Sequence, residues 1–285
     1  LAGAAASASV AALLAMWLAP GRPGLAPVLR EAWGPLVAPS SRTMIHVAAP
    51  MHLFVRPTET RVPFDRPEVD AQLLRRWYSQ FPALPPAESL FLRPTPNSLL
   101  WGDAMGTVTV ARVLTLAGVT WEVMPNRVAG GPLLKRRNAL VFGRPEYSRE
   151  AGQLLANTPL TVDFNSEVRE YAVYDRESKR WFIPSYRDND YANVVYGLIT
   201  VLPSEGAPGG EFRTVLLTGS NSAGIQAAAE YFSSARQMAA LRDRLAGSAF
   251  PPGYQVVVRA TANSTIPLDL YFETFRAVSP KADGS

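Results

Sequence analysis

The sequence predicts an α/β protein in which a three-layer, mainly parallel sheet carries helices on both faces and antiparallel edge strands, preceded by one transmembrane helix. Strand-like apolar runs alternate with helical periodicity over residues 43–245. Residues 254–260 and 268–277 alternate polar and apolar side chains, as half-exposed antiparallel strands do. Residues 1–19 carry no charge, and a segment of this length is about what one helix needs to cross a hydrocarbon core of about 30 Å.

The N-terminal segment is alanine-rich, and Trp17 lies near its end, where an interfacial aromatic residue is expected. A secretory signal sequence and a soluble alanine-rich helix are the alternatives. A signal sequence should begin with Met and a basic region, whereas Leu1 stands first here, so we expect that an upstream part is missing. We assign residues 1–20 to a transmembrane helix and residues 21–42, which Pro and Gly interrupt, to a linker with one short amphipathic turn.

The remaining chain is predicted to form a single α/β domain over residues 43–278, followed by a disordered tail over residues 279–285. The predicted helices have apolar residues at helical spacing and span residues 69–81, 103–116, 146–156, 223–232 and 235–245. The predicted strands are apolar or alternating runs at residues 43–47, 119–124, 139–142, 160–164, 171–174, 180–183, 191–202, 213–218, 254–260 and 268–277. Proline-rich loops are predicted at residues 57–67 and 82–96, and a short helical turn at residues 133–137.

Composition excludes several function classes. The chain has no cysteine, so thiol chemistry, disulfides and Cys-ligated metals are absent. The net charge is +4, but the basic residues are scattered, and the two dense runs at 75–76 and 135–137 are not interleaved with aromatic residues. We therefore expect no nucleic acid to bind this segment itself.

In open α/β sheets, ligands bind where strands end and helices begin. Three such segments supply the candidate ligand-binding residues, which are Trp101, Gly102, Asp103, Gly143, Arg144, Gly219, Ser220 and Asn221. A fourth segment, residues 186–190, is polar but reads as a surface turn, since two aspartates two positions apart are a weak metal signal.

The segment over residues 218–224 follows the clearest central strand. Gly219 and Gly224 have the G-x-x-x-x-G spacing of a phosphate loop, but Ile225 stands where such a loop has lysine, which argues against nucleotide hydrolysis. A strand-to-helix turn and a cradle for a small anion or polar ligand both remain open. We expect a positive φ at Gly219, in which case a β-branched replacement destabilises the fold by more than about 1 kcal/mol.

Asp103 and Arg144 each allow two interpretations. Asp103 is either the N-cap of the helix over residues 103–116 or a carboxylate that faces a ligand. Arg144 is either a solvent-exposed loop residue or a partner for a carboxylate or phosphate.

No catalytic set is recognisable. The sequence contains only two histidines, of which His46 lies in an apolar strand and His52 in a loop. The G-x-S-x-G, H-E-x-x-H, G-x-G-x-x-G and full Walker A patterns are all missing. We expect no catalytic residues, no metal and no cofactor.

Several motifs carry a resemblance to a known family. They are Trp101-Gly102-Asp103-Ala104, residues 138–143, residues 190–192, and residues 215–221 with 227–232. Over residues 97–276 the chain resembles the uncharacterised extracytoplasmic C-terminal domains of single-span bacterial membrane proteins that often carry an N-terminal winged-helix DNA-binding domain. The resemblance implies architecture and a sensory or scaffold role.

These observations favour an extracytoplasmic sensory or ligand-binding domain of a membrane-anchored bacterial transcriptional regulator. The expected location is the inner membrane, crossed once by residues 1–19, with the 43–278 domain in the periplasm. The expected partners are the membrane, an unknown small ligand or envelope component, and a second copy in a homodimer. An envelope glycan- or protein-binding domain that uses Trp101, Trp181 and Tyr186 is the alternative. A hydrolase that uses Asp103, His52 or Ser220 is the least favoured.

Overall fold

A computed structural model describes residues 24–50, 52–57, 90–95, 99–125, 137–187, 192–203, 212–246 and 248–278. Its helices are α1 (Pro27–Trp33), α2 (Trp101–Ala117), α3 (Arg149–Leu155), α4 (Ser222–Ser233) and α5 (Ala235–Arg244). Its strands are β1 (Arg42–Val47), β2 (His52–Pro57), β3 (Leu90–Thr95), β4 (Thr120–Pro125), β5 (Asn138–Phe142), β6 (Leu160–Asn165), β7 (Glu170–Asp175), β8 (Arg180–Phe182), β9 (Ser185–Tyr186), β10 (Ala192–Pro203), β11 (Arg213–Gly219), β12 (Tyr254–Asn263) and β13 (Ile266–Ala277).

The main sheet is mixed and has eight strands in the order β13-β12-β10-β11-β5-β1-β4, with β9 paired to β10. The pairs β11–β5, β5–β1 and β1–β4 are parallel, whereas β10 is antiparallel to both of its long neighbours. The predicted α/β class with a mixed sheet is confirmed. The antiparallel pairing reaches the centre of the sheet because only residues 204–212 separate β10 from β11, which is shorter than the dozen or more residues that a parallel crossover needs.

Alternate residues of each central strand enter two different cores. Leu140 and Phe142 of β5 pack with the apolar sides of α1, α2, α4 and α5, while Ala139 and Val141 face α3 and the strands β6 to β8. One face of the main sheet is therefore covered by four helices, and the other by one short helix and a small sheet. Helices thus lie on both faces, as predicted, with four of the described helices on one face and one on the other.

The strands β6, β7 and β8 form a separate antiparallel sheet. The sequence places the β7–β8 hairpin at an edge of the main sheet, but the hairpin instead packs on its face, where Phe182 and Val173 are buried. Strands β2 and β3 form another two-stranded sheet, although β3 lies in a predicted proline-rich loop. Pro94 can lie in β3 because both strands of a two-stranded sheet are edge strands, in which a residue without an N–H is accommodated.

The segment predicted as a linker contributes to the main core. Helix α1 and the 3-10 turn Gly34–Val37 bury apolar side chains, among them Trp33 and Leu36. The Trp33 ring stacks on Phe232 with 4.9 Å between centroids, and its Nε1 donates to the Phe232 carbonyl oxygen at 3.0 Å. Pro27 does not interrupt this segment because it occupies the start of α1, where a missing N–H costs nothing.

The predicted transmembrane helix over residues 1–20, the predicted helix over residues 69–81 and the C-terminal tail lie outside the described residues. So does the predicted turn at residues 133–137, except for its last residue. Within the described ranges, no helix combines the length and apolar character that a membrane crossing requires.

Candidate functional site

The candidate residues lie at the edge where the parallel strands β5 and β11 both end. Helix α4 begins there and approaches the strands backbone to backbone. A Cβ on Gly219 would lie 2.7 Å from the Gly224 carbonyl carbon, and Cβ atoms on Gly197 or Gly224 would collide with main-chain oxygens. Gly219 does not have a positive φ, so that expectation is wrong; this glycine is needed for close approach instead.

Ser220 and Asn221 hold the turn between β11 and α4. Ser220 is buried, and its Oγ accepts a hydrogen bond from the Tyr196 N–H at 3.2 Å. Asn221 is the N-cap of α4, and its Oδ1 accepts from the Gly224 N–H at 2.9 Å. The strand-to-helix turn with a good cap is therefore present, and the Ser220 hydroxyl has a structural partner.

Helix α2 begins directly beside α4. The Gly102 N–H donates to the Ser222 Oγ at 2.7 Å, and a Cβ on Gly102 would overlap the Ser222 carbonyl. Trp101 is 57% exposed. Asp103 is not the N-cap, which is Leu100; it lies in the first turn, fully buried. The predicted capping role is thus wrong, because the helix begins two residues earlier than its apolar pattern indicates.

The loop after β5 brings Arg144 to the same edge. Gly143 has a φ of 136°, and the Ser148 side chain caps α3 by accepting from the Ala151 N–H. The Arg144 Nη1 donates to the Ser220 carbonyl oxygen at 2.8 Å, while Nη2 contacts the Glu146 carboxylate. Arg144 is therefore not a freely solvated loop residue; its side chain is 17% exposed.

Asp103, Arg144 and Tyr147 form the core of the site, which we call the Asp103 cluster. Both Asp103 carboxylate oxygens, the Arg144 Nε and the Tyr147 hydroxyl are buried without a hydrogen-bond partner. Burial raises the pKa of Asp103 to about 7, opposed by the positive charge of Arg144 and by the nearby Tyr147 hydroxyl. Burial and the Asp103 charge likewise raise the pKa of Tyr147.

Tyr147 is a site residue that lies inside the helix predicted over residues 146–156, whereas α3 begins only after Ser148. The signal for the later start is Ser148, since serine followed by Arg149 and Glu150 is a good N-cap with an acidic first turn. A helix that begins after this cap leaves Tyr147 in the strand-end loop with Arg144.

Three partly exposed aromatic side chains border the cluster, and we call them the aromatic rim. The Arg144 guanidinium lies 4.6 Å from the Tyr171 ring centroid, and Phe164 meets that ring edge-on at 5.4 Å. The Tyr186 hydroxyl lies 3.3 Å from the Glu170 carboxylate. Burial and the Glu170 charge raise the pKa of Tyr186, while the Asn221 side chain lowers it. Since Asn221 is the N-cap of α4, Tyr186 lies near that cap, and the rim extends from Arg144 to the start of α4.

The eight predicted residues therefore lie at one edge, joined by the contacts of Gly102 with Ser222 and of Arg144 with Ser220. His46 is buried in β1, and the side chain of His52 in β2 lies outside the described part. Residues 188–190 of the polar loop are not described either. Among the described residues, no group of three or more His, Asp or Glu side chains could hold a metal ion.

Comparison of the chain with protein-family models, with curated proteins and with solved structures gives no match. The site must therefore be interpreted from its own chemistry.

Proposed function

We propose that the chain is a ligand-binding sensory domain of a membrane-anchored bacterial transcriptional regulator. In this proposal, a transmembrane helix over residues 1–20 precedes a three-layer periplasmic domain, and the ligand binds at the Asp103 cluster. The observation that carries the proposal is the buried Asp103 carboxyl, which has no hydrogen-bond partner. An unpaired buried polar group costs about 1 to 3 kcal/mol, so its presence in a strand-end site is typical of function rather than of packing.

The position of the cluster supports ligand binding. Open α/β sheets bind ligands beyond the carboxyl ends of parallel strands, and Arg144 and Ser220 follow two such strands, β5 and β11. The backbones beneath are fixed by the α2–α4 contact at Gly102 and Ser222. A fixed frame around unsatisfied polar groups is what a selective polar site requires.

Helix α4 supplies a route from the site toward the N-terminal segment. Its first residue, Ser222, accepts the hydrogen bond from Gly102 beside Asp103. Its Phe232, near the other end, contacts Trp33 of α1 through both a ring stack and a hydrogen bond. A ligand that favours one position of α4 would therefore shift the population of α1 positions, and α1 begins at residue 27, close to the predicted membrane segment.

The ligand-binding part is tested by thermal shift of the purified 285-residue chain against a panel of neutral, anionic and cationic small molecules. We expect at least one class to raise the Tm, and Asp103→Asn to weaken its binding by about tenfold. Asp175→Asn, which alters a buried aspartate in the small sheet, is the matched control and should leave binding unchanged. A panel with no stabilising compound, or one whose effect is the same in Asp103→Asn, contradicts the proposal.

The membrane part needs a separate experiment. The full chain and a version that lacks residues 1–20 are expressed in a Gram-negative host, and their membrane fractions are extracted with alkaline carbonate. The full chain should stay in the membrane and be cleaved by protease added to spheroplasts, while the shortened chain should be extracted. Release of the full chain by carbonate, or protection from the protease, argues against the anchor or its orientation.

An envelope interaction domain is the second candidate, and exposed Trp101 is the observation that favours it. Trp101 is 57% exposed beside the cluster, whereas Trp181 is half-buried against Tyr174 with 4.4 Å between ring centroids. Capture of the chain by isolated peptidoglycan should then fall in Trp101→Ala but not in Trp181→Ala. Equal capture of both variants and the parent removes this candidate.

A further inference from the structure

The unpartnered atoms of the Asp103 cluster limit the chemistry of what can satisfy them. Asp103 offers two acceptor oxygens, the Arg144 Nε offers one donor, and the Tyr147 hydroxyl can do either. A group that satisfies all of them must donate to the carboxyl and accept from the guanidinium within a short distance. Adjacent hydroxyl groups do this, since each one donates one hydrogen bond and accepts two.

The charges around the cluster disfavour a charged ligand. The positive charge of Arg144 is already paired with Glu146, and Glu170 adds a further negative charge at the rim. An anionic ligand would meet Glu146, Glu170 and the ionised fraction of Asp103. A cationic ligand would have to lie against Arg144. A neutral polar ligand avoids both costs.

The aromatic rim adds an apolar surface to this polar centre. Phe164 is 47% exposed and contacts Tyr171, and Tyr186 is 38% exposed and contacts Glu170, the neighbour of Tyr171 in β7. Aromatic faces carry partial negative charge and attract the weakly positive C–H groups of an aliphatic ring. Hydroxyls on the perimeter and C–H groups on the faces are the two properties of a sugar ring.

We infer that the Asp103 cluster and the aromatic rim bind a neutral polyhydroxylated ring, either a free sugar or one unit of a glycan. This inference rests on the ligand-binding function proposed above. The ring hydroxyls bond to Asp103, Arg144 and Tyr147, and its C–H face packs on Phe164 or Tyr186. Because Asp103 is fully buried, binding includes a shift of a neighbouring side chain, and Arg144 with its exposed partner Glu146 is the pair that borders solvent.

Isothermal titration of the purified 285-residue chain tests the inference with matched probes. Neutral glucose, N-acetylglucosamine and myo-inositol are compared with anionic glucuronate and cationic glucosamine, and soluble peptidoglycan fragments distinguish a glycan from a free sugar. We expect at least one neutral probe to bind about tenfold more tightly than its charged analogue. Tighter binding of the charged analogues, or no binding of any neutral probe at millimolar concentration, overturns the inference.

Substitutions in the Asp103 cluster and the aromatic rim test where the sugar binds. Tyr147→Phe and Phe164→Ala should each weaken sugar binding by about fivefold to tenfold. Tyr254→Phe, which removes another buried hydroxyl without a hydrogen-bond partner, and Leu116→Ala, at the far end of α2 from Asp103, are the matched controls and should bind normally. Sugar binding that is insensitive to both site variants contradicts the inference.

The failures of the two proposals are distinguishable. If a charged compound binds and Asp103→Asn removes its binding, the sensory function stands and the sugar inference fails. If no compound of any class binds, both fail.

Discussion

Two buried aspartates of this molecule have opposite surroundings. Asp175, at the end of β7, accepts hydrogen bonds from the backbone N–H groups of Glu177 and Ser178 and contacts the Arg276 guanidinium. Burial alone would raise the pKa of Asp175, but these hydrogen bonds outweigh it, and the pKa lies below its ordinary value. Asp103 is also fully buried, but its carboxylate oxygens have no hydrogen-bond partner of normal geometry, only the Tyr147 hydroxyl nearby, and burial raises its pKa to about 7.

A similar contrast holds between the layer around Gln255 and the strand-end edge. Between the main sheet and the β6–β8 sheet, Gln255 is fully buried, and its amide pairs with both the N–H and the carbonyl of Leu160 and with Thr200. At the strand-end edge, four polar atoms of the Asp103 cluster remain unpaired. In the first region, every polar group of the Gln255 side chain has a hydrogen-bond partner, as is usual for a structural core. The second tolerates a cost that a bound partner would remove.

The largest expected effect comes from breaking the satisfied region. Gln255→Leu leaves the buried Leu160 N–H unpaired, while the Leu160 carbonyl keeps the hydrogen bond from the Thr158 hydroxyl, so the free energy of unfolding should fall by about 3 kcal/mol. Thr200→Val is the matched control, since Gln255 keeps both bonds to Leu160, and its cost should be about 1 kcal/mol. Urea denaturation measures both. A Gln255→Leu variant as stable as the parent would remove the distinction between the two regions.

The second effect is the pH dependence of Asp103. The folded-state pKa of about 7 exceeds the ordinary value of 3.8, so the folded state binds a proton more tightly, and stability is lost as the pH rises toward and through 7. Between about pH 5 and about pH 8, the parent should lose about 2 to 3 kcal/mol more than Asp103→Asn. Urea denaturation of both proteins at the two pH values measures this, and parallel pH profiles would contradict the assignment.

The third effect tests how tightly the strand-end backbone is held. Gly219→Ala should lower the free energy of unfolding by about 2 kcal/mol, because the added Cβ would lie 2.7 Å from the backbone of Gly224. Gly118→Ala is the contrasting variant, because its φ is 75° but nothing lies within 4 Å of the added carbon, so only about 1 kcal/mol is expected. Thermal unfolding in the same buffer ranks the two. The reverse ranking would mean that close approach does not determine the glycine at position 219.

The smallest expected effect has the opposite dependence on pH, because the stabilisation by Asp175 is lost as the pH falls. Asp175→Asn should cost about 1 to 2 kcal/mol at neutral pH, because the charge-assisted contact with Arg276 is lost. Since the pKa of Asp175 is lowered by folding, that stabilisation is present above its ordinary value of 3.8 and is lost as the pH falls through the folded value. The difference between parent and variant should therefore shrink in acid. A difference that grows there would contradict the pairing.

The site was predictable only in part. Glycine and capping residues after apolar strands identified Arg144 and Asn221, because strand ends are where such residues have a local reason to occur. Asp103 was a candidate as a helix cap, and it lies at the site although Leu100 is the cap. Tyr147 and Tyr171 were not identified, since Tyr171 reaches Arg144 from the separate small sheet. No periodicity within β7 reveals that neighbour.

The sequence by itself determined the α/β class, most strands and helices, and the strand ends where polar residues gather, because each depends on residues that are close in the chain. Only the tertiary structure decided that the 27–37 segment joins the core through Trp33 and that the β7–β8 hairpin packs on a sheet face. It also decided which buried aspartate is satisfied. Burial and hydrogen bonding depend on distant partners, such as Arg276 for Asp175, and no local pattern encodes them.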